Sequence, residues 1–202
     1  MKLLKTCVLL AIMGLLGGGV FLYSGVYDIG ADAPHFPVVF ALLQTFRERS
    51  IATHAKGIVV PPLDDPTLIA EGAEHYAAMC SGCHLAPATK DSDIRAGLYP
   101  QPPNLTEPLD IDAAQAFWII KHGVKMTAMP AWGTTHDDQA IWGLVAFVRQ
   151  LPKLSIEQYE QVTGKAGGHE HHHADAQDTD DDAHHGEHHA EHAAAATSPA
   201  SE

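Results

Sequence analysis

The sequence predicts an all-α fold: one small helical domain, preceded by an apolar span and followed by a tail that cannot build a core. Three observations carry this reading. First, Asp64-Asp65-Pro66, Asp110-Ile111-Asp112 and Asp137-Asp138 each place a capping carboxylate before a run of helix-forming residues. Second, no stretch alternates apolar and polar residues long enough to read as a strand. Third, Gly164 to Glu202 contains no Val, Ile, Leu, Phe, Tyr or Trp, so burial cannot offset the entropy of ordering it. The parts fall at 1–6 (a short basic end), 7–27 (the apolar span), 28–60 (a helix and linker), 61–163 (the domain) and 164–202 (the tail).

In the span, Thr6 to Tyr27 is free of charge, and Lys2 and Lys5 precede it. About 20 such residues cross a bilayer as helix, and the basic flank marks the cytoplasmic side. A cleaved signal peptide is the competing reading, with Ala31-Asp32-Ala33 as its small-x-small site, but the run is long for one. Pro37 to Lys56 reads as an amphipathic helix, with Val38, Leu42, Thr45, Phe46 and Arg49 at helical spacing. It reads as a spacer that holds the domain off the bilayer; resting on the membrane surface and packing on the domain are the alternatives.

The domain's first helix runs from Pro66 to Cys80. A loop rich in proline follows (Pro87, Pro100, Pro102, Pro103, Pro108). A second helix, AAQAFWIIKHG, stops at Gly123, and a third, QAIWGLVAFVRQL, stops at Pro152. Twelve Lys and Arg stand against 25 Asp and Glu, a net charge of −13. That balance argues against a nucleic-acid partner. Three cysteines are too few for a disulfide scaffold.

Cys80-Ser81-Gly82-Cys83-His84 is the sharpest motif. C-x-x-C-H is the attachment pattern of c-type haem. Two thiols on one helical turn reach the two vinyl groups on one porphyrin edge, and the next residue, His84, offers its imidazole to the iron. A zinc ribbon would need a second cysteine pair, whereas the remaining cysteine, Cys7, lies in the span. A thioredoxin-like pair would sit beside a βαβ pattern, and there is none. Downstream, Met126-Thr127-Ala128-Met129-Pro130 lies between the second and third helices. A thioether there would close the opposite haem face and favour electron transfer over oxygen chemistry. Met129, fixed by Pro130, is the better candidate and Met126 the alternative; both could instead line a core.

The order helix, CxxCH, proline-rich loop, helix, Met-Pro loop, terminal helix resembles class I cytochrome c over about Leu63 to Pro152. The resemblance implies a monohaem domain carrying one covalent haem c, held by Cys80, Cys83, His84 and Met129. It further implies that Gly72 lets the first and last helices cross closely, with Tyr76 on the first and Trp142, Leu144, Val145, Phe147 and Val148 on the last. Pro102-Pro103-Asn104-Leu105 resembles the family's G-P-x-L stretch, in which a proline carbonyl accepts from the proximal histidine; Pro103 takes that place, with Pro102 as the alternative. Tyr99, Trp118 and Trp132 are candidates for lining the haem pocket. His75, His122 and His136 read as surface or capping residues.

The tail interleaves imidazole and carboxylate at His169, His171, His172, His173, His184, His185, His188, His189 and His192. Such tracts can take Cu, Ni or Zn with little geometric selectivity, or simply stay solvated. No nucleophile and base are paired. The expectation is therefore an electron carrier: a single-pass protein of the bacterial inner membrane, facing the periplasm and relaying electrons between redox proteins. The alternatives are a haem-bearing subunit of a membrane dehydrogenase or oxidase, a tail-centred metal binder, and a gas sensor or peroxidase with a displaceable sixth ligand.

Overall fold

The computed structural model describes residues 1–164, and among these there are helices and loops but no strand. Helix α1, Lys2–Tyr23, is the apolar run: 22 residues of mean hydropathy 2.1, with no side chain buried. At 1.5 Å per residue it is about 33 Å long, enough to cross a membrane. It continues unbroken through Gly17, Gly18 and Gly19. Helix α2 follows at Pro37–His54, with its proline in the first turn, where a missing N–H costs nothing.

The domain's helices start where their carboxylates predict. Asp65 caps α3 (Pro66–Met79) by accepting from the Thr67 N–H at 2.8 Å. Asp112 caps α6 (Ala113–His122) through Gln115 at 2.7 Å, and Asp137 caps α7 (Asp138–Val148) through Ala140 at 2.9 Å. Each such cap is worth about 1 kcal/mol. Short helices α4 (Ser81–His84) and α5 (Asp93–Ala96) lie in the segment after α3. Helix α8 (Ile156–Gly164) follows α7 and lays Tyr159 and Val162 on the core.

Two clusters form that core. Ala73, Tyr76, Leu144, Phe147 and Leu151 join α3 to α7, with the Tyr76 and Phe147 rings 5.3 Å apart. Phe117, Ile141 and Val145 join α6 to α7, with Phe117 stacked on Trp142 at 4.1 Å. Helices α3 and α7 meet backbone to backbone. A Cβ on Gly72 would overlap the carbonyl of Gly143. One on Gly143 would sit 3.0 Å from the Leu68 carbonyl. The crossing therefore excludes a Cβ at Gly72 and leaves little room for one at Gly143, the partner that sequence reasoning passed over.

Gly72→Ala forces a methyl into backbone that has no rotamer to yield. We expect a loss of about 3 kcal/mol, the upper end for overpacking, measured by urea denaturation. A loss under about 1 kcal/mol would mean that the helices can part without penalty.

Candidate functional site

Helix α3 delivers the cysteine motif. Its last turn runs directly into α4, so that Cys83 and His84 both donate their N–H to the Cys80 carbonyl, at 3.1 and 2.8 Å. One turn of helix thus carries both thiols and the imidazole. Neither cysteine is in a disulfide, and both are half-buried. Burial, with Cys83 beside it, pushes the Cys80 thiol up to about 12, so it stays protonated at neutral pH.

Beyond His84 the chain turns at Leu85, a buried residue with φ of 69°. Side chains normally avoid that region. The buried Tyr76 hydroxyl holds the turn by donating to the Leu85 carbonyl at 2.6 Å, with the His84 carbonyl 3.3 Å away. The Leu105 N–H also donates to the His84 carbonyl, at 3.1 Å. The motif is thereby tied to both α3 and the proline-rich loop.

The imidazole itself is oriented by that loop. His84 Nδ1 lies 2.9 Å from the Pro103 carbonyl oxygen. A carbonyl can only accept, so Nδ1 carries the proton and Nε2 keeps its lone pair. That is the tautomer a metal ligand needs. The neighbouring Pro102 serves another group, its carbonyl accepting from Arg95 Nε at 3.1 Å. Arg95 also pairs with Asp91 at 3.2 Å, its own side chain being only 15% exposed. Ser92 donates to the Gly82 carbonyl inside the motif. Burial holds the His84 imidazole below its usual pKa; the Pro103 hydrogen bond opposes this, and the charge of Arg95 adds to it. Sequence reading missed Arg95, because a lone basic residue in a loop carries no signal until its partners are placed.

The methionine loop is equally constrained. Gly123 ends α6 at φ of 64°, and a Cβ there would come within 2.6 Å of the Met129 carbonyl oxygen. The Val124 N–H donates to that carbonyl at 3.2 Å, and the Met129 N–H to Thr127 Oγ1 at 3.1 Å. Met129 is half-buried, whereas Met126 sits at the loop tip, 95% exposed, with φ of 57°.

The three aromatic candidates pack on other rings. Tyr99 packs on His35 and Phe40, at 5.3 and 6.1 Å. Trp118 lies between His54 and His122, at 5.4 and 5.1 Å. Trp132 meets His136 at 5.6 Å, and His136 in turn meets His75 at 5.2 Å. Tyr99 and Trp118 thus hold α2 against the domain. Among the described residues no group of three or more His, Cys, Asp or Glu could hold a metal ion. The histidines His169, His171, His172, His173, His184, His185, His188, His189 and His192 lie outside the described residues.

An all-helical frame that presents two thiols and a correctly protonated imidazole on one turn is similar to that of a c-type cytochrome domain. Residues 67–148 match the family model described as cytochrome c oxidase, cbb3-type, subunit III, which is such a domain. This agrees with the class I monohaem resemblance and implies covalent haem c and haem-based electron transfer. No curated protein and no solved structure matches the chain.

A fixed cation beside the Cys80–His84 motif would disfavour the more positive, oxidised state of a haem iron held there. Arg95→Gln is expected to lower the reduction potential by roughly tens of millivolts, where about 59 mV is tenfold for one electron. Asp91→Asn, which removes the counter-charge, is expected to raise it by less. Potentiometric titration reads both, and shifts of the same sign would show that loop loosening, not charge, is responsible.

Proposed function

We propose that the protein is a membrane-anchored monohaem cytochrome that relays single electrons between redox proteins on the periplasmic face of a bacterial inner membrane. Cys80 and Cys83 hold the haem through thioethers, His84 Nε2 is the proximal ligand, Pro103 orients it, and Met129 is the distal ligand. The observation that carries this reading is the His84 Nδ1–Pro103 hydrogen bond, which leaves Nε2 as the bare nitrogen on a turn that also bears both thiols.

The haem supplies a one-electron couple. The chain's part is to hold it still and keep competitors away. Two covalent links retain it in a domain too small to enclose it. With His84 and Met129 as its ligands the iron would keep no open position, which would favour electron transfer over ligand chemistry and raise the potential. Met129 is preferred to Met126 because its backbone is fixed at both the N–H and the carbonyl, while Met126 faces solvent. The length and apolarity of α1 support the anchor.

A second reading, that the chain acts as an electron-entry subunit of a membrane oxidase, is favoured by the description of the matched family model. Extraction in mild detergent separates the two. A carrier comes away alone, and a subunit comes away with its complex.

Met129→Ala is expected to abolish the sulfur-to-iron absorption band, lower the potential and let carbon monoxide bind the reduced protein. Met126→Ala is expected to leave all three unchanged. Rapid, full carbon monoxide binding by the wild type would overturn the Met129 assignment. Release of the pigment from denatured protein into acidified organic solvent would overturn the thioethers.

A further inference from the structure

Helix α2 carries apolar side chains on two opposite sides. One side, Phe40, Gln44, Arg47, Ile51 and the following Ala55, is half-buried or buried toward the domain. Phe40 meets Tyr99, and His54 at its end stacks on Trp118. The other side is the stripe that the sequence singled out. In it Val38 is 75% exposed, Leu42 57% and Phe46 67%, with Thr45 and Arg49 between and after them. A stripe of this kind is not left in water without consequence.

What covers it is indicated by its position and charge. The start of α2 lies at the exit of α1: Phe21 meets Tyr27 at 6.4 Å, and Tyr27 meets Phe36, the residue that opens α2, at 5.7 Å. Tyr27 also hydrogen-bonds His35 Nδ1 at 2.6 Å, and the His35 N–H donates to the Tyr99 hydroxyl at 3.3 Å. The connection between span and helix is therefore folded, and aromatic residues of this type gather at the membrane–water boundary. Charge points the same way. Away from the domain-facing side, Arg49 and Lys56 stand exposed against Glu48, a small basic patch in a chain of net charge −13. Such a patch suits anionic headgroups, toward which Arg49 and Lys56 can extend from the apolar stripe.

We infer that α2 is an interfacial helix: its Val38–Leu42–Phe46 face lies in the anionic phospholipid surface at the exit of the α1 span, and its other face carries the cytochrome domain. This deepens the anchored reading and rests on it. The domain is then mounted on the bilayer at a set distance instead of trailing on a flexible leader.

Spin labels at Leu42→Cys and at Phe46→Cys, in the full chain with Cys7→Ser and the haem reduced, test this in anionic phospholipid nanodiscs. Collision with oxygen is expected to exceed collision with a water-soluble nickel chelate several-fold relative to a label at Gln139→Cys, an exposed site on the domain. Labels at Leu42 and Phe46 that the chelate reaches as freely as Gln139 overturn the inference. Labels shielded from both reagents also overturn it, since protein then covers the face. A label at Leu10→Cys separates the two levels: if it is wet, the span itself fails, and if it is dry while Leu42 is wet, only the interfacial helix fails.

Discussion

The tightest constraint in the domain is the contact between the backbones of α3 and α7 at Gly72 and Gly143. It sets the depth at which Tyr76 enters the core against Phe147. The buried Tyr76 hydroxyl then reaches past the end of its own helix to the carbonyl of Leu85. A helix crossing in the core thus fixes the turn that follows the cysteine motif. The motif needs this support because Leu85 is held at a φ and ψ that cost about 1–3 kcal/mol for a side-chain-bearing residue. Burial of Leu85 and two carbonyls held by hydrogen bonds offset that strain.

The surroundings of His84 and of Met129 are built differently. On the histidine side, adjacent proline carbonyls divide the work: Pro103 takes the imidazole and Pro102 takes Arg95. Proline suits this place because it has no N–H of its own to satisfy in a loop where the carbonyls are engaged. On the methionine side the backbone does the positioning, through Gly123 beneath Met129 and Pro130 and through Thr127 at the Met129 N–H.

The three main helices of the domain were legible in the sequence because each begins with a carboxylate that satisfies an orphan N–H, and α6 also ends at Gly123. The cysteine motif was legible because its spacing is the chemistry. Gly143 was not, since a glycine inside an apolar helix looks like a tolerated defect until its partner is known. Arg95 was not, since its meaning lies in a carbonyl seven residues away. Helix α8 was not, because Tyr159 and Val162 alone mark its inward side. In α2 the sequence showed one apolar stripe and the fold uses two. Opposed stripes cancel in any vector sum around a helix, so periodicity understates both.

The ends of the Gly123–Pro130 loop are pinned to each other, by the Val124 N–H on the Met129 carbonyl and by glycine packed on the Met129 and Pro130 backbone. Just beyond it, Gly133 lies so close to α6 that a Cβ there would come within 2.7 Å of the Lys121 side chain. A segment closed on itself in this way has no slack. An inserted or deleted residue would turn the sulfur to another side even with every original side chain kept, so the number of residues here is as much a determinant as their identity.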